Sequence, residues 1–209
     1  NKKQKTKFQY ILSKKISDVA KKIAGTTRPN DIDQKITDLK KLNSGKADAY
    51  KYQDLILGIL NDLFYPHLQN PRLGEPKAEG RQIIDITFSN NSFKGFFADL
   101  AKRNIVCNQI FFECKNYSQD VKNPELDQLL GRFDYRTATI GFIVCRENKD
   151  SSKIVELCRD RAKQQQRYII VLADSDVIQL LENKKQNENF YEVSLNNFLK
   201  GKLEEILNF

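Results

Sequence analysis

Apolar positions along the chain recur first at helical spacing. Phe8, Ile11, Leu12, Ile16, Val19 and Ile23 share one stripe that Gly25 and Pro29 stop; Ile36, Leu39 and Leu42 form a second behind Asp31-Ile32-Asp33. Asn43-Ser44-Gly45-Lys46 reads as a loop. A stronger helix follows over 49–64, where Leu55, Ile56, Ile59, Leu60, Leu63 and Phe64 make one apolar face and Pro66 ends it. The turn residues of 70–76 leave room for one short strand. After Gly80 the period changes to two: Ile84, Ile86 and Phe88 share a strand face, and Asp85 points the other way. Asn90-Asn91-Ser92 turns the chain into a short helix over 93–103, followed by an aromatic strand over 106–115.

The second half alternates. A polar loop over 117–123 leads to Pro124, placed as the first residue of a helix that buries Leu126, Leu129, Leu130 and Phe133. A strand over 140–145 and a helix over 151–166 come next. The strand over 168–172 is apolar throughout, which predicts burial on both faces. Asp174 is placed to cap a helix to about 181. A polar loop over 183–189 precedes a closing amphipathic helix over 191–209. There is no internal repeat. The pattern predicts an α/β fold with a central mixed β-sheet flanked by helices. It divides into a helical N-terminal arm, 1–48, and a main domain, 49–209.

Composition narrows the class. With 209 residues, 30% charged and 40% hydrophobic, the chain is long enough for one sizeable core and too apolar for a disordered one. No apolar run approaches the roughly 20 residues of a membrane span, and no apolar stretch follows the basic N-terminus as in a signal peptide. The absence of methionine predicts a piece of a longer protein, with other domains elsewhere in it. A formal charge of +8 permits a polyanionic partner. Cys107, Cys114, Cys145 and Cys158 form no CxxC pair and read as buried hydrophobes of a reducing, cytoplasmic compartment. His67 is the only histidine, so a zinc site has too few ligands.

The candidate chemistry lies in Ile110-Phe111-Phe112-Glu113-Cys114-Lys115-Asn116-Tyr117. Strand alternation puts Glu113 and Lys115 on one face and Phe112 and Cys114 on the other. An acid and a base at the end of a buried strand are costly unless used. If the Asp85 strand is its neighbour, two carboxylates converge. Oxygen ligands of this kind suit Mg²⁺ or Mn²⁺ and leave positions open for phosphate and water. A lysine beside them can orient that water. The competing readings are an edge-strand salt bridge for Glu113 and Lys115, a hydrogen-bonded bulge carboxylate for Asp85, and a solvated helix face for Gln128, Arg132 and Arg136.

Asp85, Glu113-Cys114-Lys115 and Gln128 in the next helix together resemble the PD-(D/E)xK nuclease superfamily, whose restriction-endonuclease-like core runs helix, three strands, helix, strand. The resemblance covers about 49–145. It departs at Ile84, where the family's proline is missing, and in the insertion over 93–103. It implies that Asp85, Glu113 and the main-chain carbonyl of Cys114 hold the metal, that Lys115 activates the water, and that Gln128 helps hold the lysine or the substrate. A further acid has three candidates, Glu75, Glu79 and Asp54, the first two being nearer Asp85 in sequence. The expected function is a Mg²⁺- or Mn²⁺-dependent endonuclease on DNA, in restriction or antiviral defence. Lys122, Arg132, Arg136 and Arg146 would meet phosphates, and a homodimer would serve double-strand cutting. The alternative is an inactive nucleic-acid-binding or assembly domain of the same fold. RNA ranks below DNA, since no RNA-recognition motif is present.

Overall fold

The computed structural model describes residues 29–77 and 82–208. The stripe that starts at Phe8 lies outside them, as does Glu79. Helix α1, Pro29–Lys41, buries Ile32, Ile36 and Leu39 in the same core as the rest of the chain. A single 3₁₀ turn, Lys46–Asp48, leads into α2, Ala49–Phe64, whose Tyr52, Ile56, Ile59, Leu60, Leu63 and Phe64 are all buried. Then come strand β1, Leu68–Lys77, strand β2, Gln82–Asn90, helix α3, Phe96–Lys102, and strand β3, Gln109–Lys115. Helix α4, Asn123–Leu130, strand β4, Ile140–Cys145, helix α5, Ser151–Gln165, and strand β5, Tyr168–Ala173, follow. Helix α6, Asp174–Gln186, one π-helical turn, Tyr191–Leu195, and helix α7, Asn196–Leu207, close the chain.

The five strands form one sheet in the order β1-β2-β3-β4-β5. The first three are antiparallel neighbours, and β3, β4 and β5 are parallel. The fold is therefore α/β with a mixed sheet between helices. Every residue of β4 is buried, and all of β5 except Tyr168, because helices cover both faces. On one face α2 packs its Phe64 against Phe112, which stacks on Phe142 at 4.8 Å between ring centroids and meets Phe88 edge-on. On the other, Phe111 stacks on Phe133. A methyl group at Gly141 would lie 2.9 Å from the Phe133 ring and 3.0 Å from the Phe111 carbonyl. Glycine thus lets that ring approach the sheet closely. Arg161 of α5 binds Asn123 and Asp127, which ties α4 and α5 together.

Four local expectations change. The turn-rich 70–76 is part of a strand of 10 residues. As an edge strand it tolerates Pro71 and Pro76, while Asn70, at φ 52°, takes up a register shift between Gln69 and Arg72. Helix α4 stops at Leu130, so Phe133 packs from the turn after it. The closing helix starts at Asn196, after the π turn. Asp174 does not cap α6; Asp176 accepts the Ala173 N–H there, and Asp174 turns inward. Among the described residues no helix is long and apolar enough to cross a membrane.

Candidate active site

Register decides which charged groups meet. The β2–β3 pairs run from Ser89 opposite Gln109 to Ile86 opposite Phe112. One step further, Asp85 faces Glu113, and facing residues of an antiparallel pair point to the same side of the sheet. The strands no longer pair there. Asp85 Oδ2 instead accepts the Cys114 main-chain N–H at 2.8 Å. The N–H and C=O of one extended residue point to the same edge. The Cys114 carbonyl therefore projects toward β2 as well.

Glu113 is the most enclosed charged group of the site, 2% exposed. Its Oε1 accepts from Lys115 Nζ at 3.0 Å and from Gln128 Nε2 at 2.6 Å, and Gln128 Oε1 accepts from the same lysine at 2.8 Å. The three side chains close a ring between β3 and α4. Among the described residues Glu113 Oε2 is buried without a hydrogen bond, and Arg132 Nη1 stands 3.8 Å from it, also without one. Burial raises the Glu113 pKa and the Asp85 charge adds to it, with Lys115 and Arg132 pulling the other way. The Cys114 side chain packs against the core on the opposite face, where burial pushes its thiol well up. Any ligation from Cys114 would come through its carbonyl.

The other predicted residues divide. Gln128 joins the ring, and Arg132 lies inside the site, only 10% exposed, rather than on the outer helix face. Arg136 is exposed, with its guanidinium over the exposed Tyr135 ring, and Lys122 is exposed at the start of α4. Arg146, expected among the phosphate contacts, lies in an internal network. Its Nε pairs with Asp174 at 3.1 Å, its Nη2 donates to the carbonyls of Leu39 and Leu42 at the end of α1, and its guanidinium lies over Tyr52. Nε and Nη2 are thus engaged inside the protein, while Nη1 is buried without a hydrogen bond among the described residues. Of the further acids, Glu75 lies opposite Ile84 in the β1–β2 register, and Asp54 is exposed on α2. Its neighbour Gln53 is the α2 residue that reaches the site, donating to the Asp85 carbonyl at 3.0 Å. No pattern in the sequence singles out that glutamine. Among the described residues no three His, Cys, Asp or Glu side chains gather as a metal cluster. Compared with known protein families, with curated proteins and with solved structures, the chain matches none of them.

Proposed function

We propose that this chain is a metal-dependent nuclease of the PD-(D/E)xK kind, hydrolysing phosphodiester bonds of DNA. The observation that carries the reading is the bond from Asp85 to the Cys114 N–H, which brings an acid from another strand to the Glu113-x-Lys115 pair. The order α2-β1-β2-β3-α4-β4, with α3 as the insertion, is also the one the resemblance implies.

The donor set fits a small hard cation. Two carboxylates, one oxygen of Glu113 lacking a hydrogen bond, and a main-chain carbonyl directed the same way offer oxygen ligands and leave room for water and phosphate. Mg²⁺ or Mn²⁺ held by Asp85, Glu113 and the Cys114 carbonyl would polarise the phosphoryl group and lower the pKa of bound water. The chain's own residues do the rest. Lys115, aligned by Glu113 and Gln128, orients the attacking water and offsets the negative charge that grows on the phosphoryl oxygens. The water oxygen bonds to phosphorus as the bond to the leaving sugar oxygen breaks; the water's proton is released to solvent, and the leaving oxygen takes up a proton from solvent. Arg132, beside Glu113, faces the same developing charge, while Lys122 and Arg136 meet phosphates further out. Restriction or antiviral defence in the cytoplasm, with two copies cutting two strands, is the setting that goes with this reading.

One observation favours a second reading, a binding or assembly domain that does not cut. Glu113 Oε1 already has two donors, Lys115 and Gln128, so that oxygen is satisfied without a metal. Incubation of plasmid and linear DNA with Mg²⁺, against an EDTA control, separates the two. Metal-dependent cleavage lost in Asp85→Asn supports the nuclease; tight binding with intact product supports the alternative.

A further inference from the structure

Asp85 lies one residue beyond the last β2–β3 pair, on a strand whose register with β1 runs unshifted past it. Toward β1 the paired positions step from Leu73 opposite Ile86 to Glu75 opposite Ile84, passing over Gly74 and Asp85. Gly74 has φ 59°, a left-handed conformation that glycine adopts without strain. Toward β3 the pairing stops at Ile86 opposite Phe112.

Two other elements hold Asp85. The Asp85 carbonyl accepts from Gln53 Nε2 of α2 at 3.0 Å, and its carboxylate accepts from the Cys114 N–H of β3 at 2.8 Å. Helix α2 is a firm post for the first of these. Beside Gln53, Tyr52 is wholly buried and its hydroxyl donates to Asp174 at 2.8 Å; one turn further on, Ile56 is wholly buried too. The Gln53 amide therefore starts from a fixed backbone and has a defined reach.

We infer that Gln53 is a positioning residue of the site. Its amide fixes the Asp85 main chain so that the carboxylate meets the Cys114 N–H and stays beside Glu113. The mechanical link is independent of chemistry, whereas its consequence for metal binding rests on the nuclease reading. Two variants separate the donor from the bulk of the side chain. Gln53→Ala removes both, and Gln53→Glu keeps the size but turns an anion toward the Asp85 carbonyl oxygen.

The test is amide hydrogen exchange by NMR on the metal-free full chain, followed by titration with Mn²⁺. In both variants the Cys114 amide should exchange about tenfold faster, the loss of one hydrogen bond's protection, while Val144 and Leu172 in β4 and β5 keep their rates. Mn²⁺ affinity should fall by about the same factor. Unchanged Cys114 exchange in both variants overturns the inference. So does acceleration spread evenly over β4 and β5, which would make Gln53 an ordinary structural residue. If Cys114 exchange accelerates but the wild-type chain binds no Mn²⁺, the positioning role stands and the nuclease reading falls.

Discussion

The Asp85 carboxylate lies 2.8 Å from the Cys114 main-chain nitrogen, occupying the place where the next ladder bond between β2 and β3 would form. A side chain thus takes over from the backbone at the point where two strands diverge. The same bond ties Asp85 to β3 one residue from Glu113. Local geometry that weakens the sheet is also what assembles the site.

Two arginines that look alike in sequence should behave differently. Arg146 is bonded to Asp174 and to two carbonyls of α1. Arg146→Met should cost about 3 kcal/mol in urea unfolding, the scale of a buried pair broken on one side. Arg136 is exposed, and among the described residues its guanidinium makes no such internal ties beyond the Tyr135 ring. Arg136→Ala should leave stability within about 0.5 kcal/mol, weaken DNA binding and reduce its salt slope by about 1. Equal stability losses would contradict the assignment.

Asp174 makes stability depend on pH. Burial raises its pKa to about 6, against the opposing pull of the Tyr52 hydroxyl and Arg146. Between the unfolded value near 4 and the folded value the native state keeps a proton that the unfolded chain has lost. Stability from this group therefore falls as pH rises through that window and is level above about pH 7. Relative to Asp174→Asn, the wild type should lose up to about 3 kcal/mol between pH 3 and pH 7. A flat difference in chemical denaturation across that range would refute the shift.

Gly141 has no room for a side chain. Gly141→Ala sets a methyl group against the Phe133 ring and the Phe111 carbonyl. The Phe133 ring has to move off Phe111, at a cost of about 1–3 kcal/mol. A melting temperature unchanged from wild type would show that the turn after α4 yields more easily than its packing implies.

How much of this could be read from sequence follows from the range of each interaction. The aromatic strand ending in Glu113 and Lys115 was legible because alternation is local, and so was the face of α4 that carries Gln128. The bond of Asp85 to the Cys114 N–H depends on a register across α3, which periodicity does not specify. Strand β1 was under-read because proline, glycine and asparagine mark turns in isolation, yet an edge strand accommodates all three. Arg146 at a strand end resembles any exposed base, and its partners Asp174 and Leu39 are far off in the chain. Gln53 carries no signal at all. A single amide on the flank of an amphipathic helix acquires meaning only once β2 lies beside it.

The central claim is that Asp85 and Glu113 share one metal ion, and the most direct measurement is anomalous diffraction from crystals soaked in Mn²⁺. The account predicts a single manganese peak within coordination distance of both carboxylates and of the Cys114 carbonyl oxygen, and no peak at that position in Asp85→Asn. Manganese absent from the site at millimolar concentration, with Asp85 still bonded to the Cys114 N–H, would contradict it.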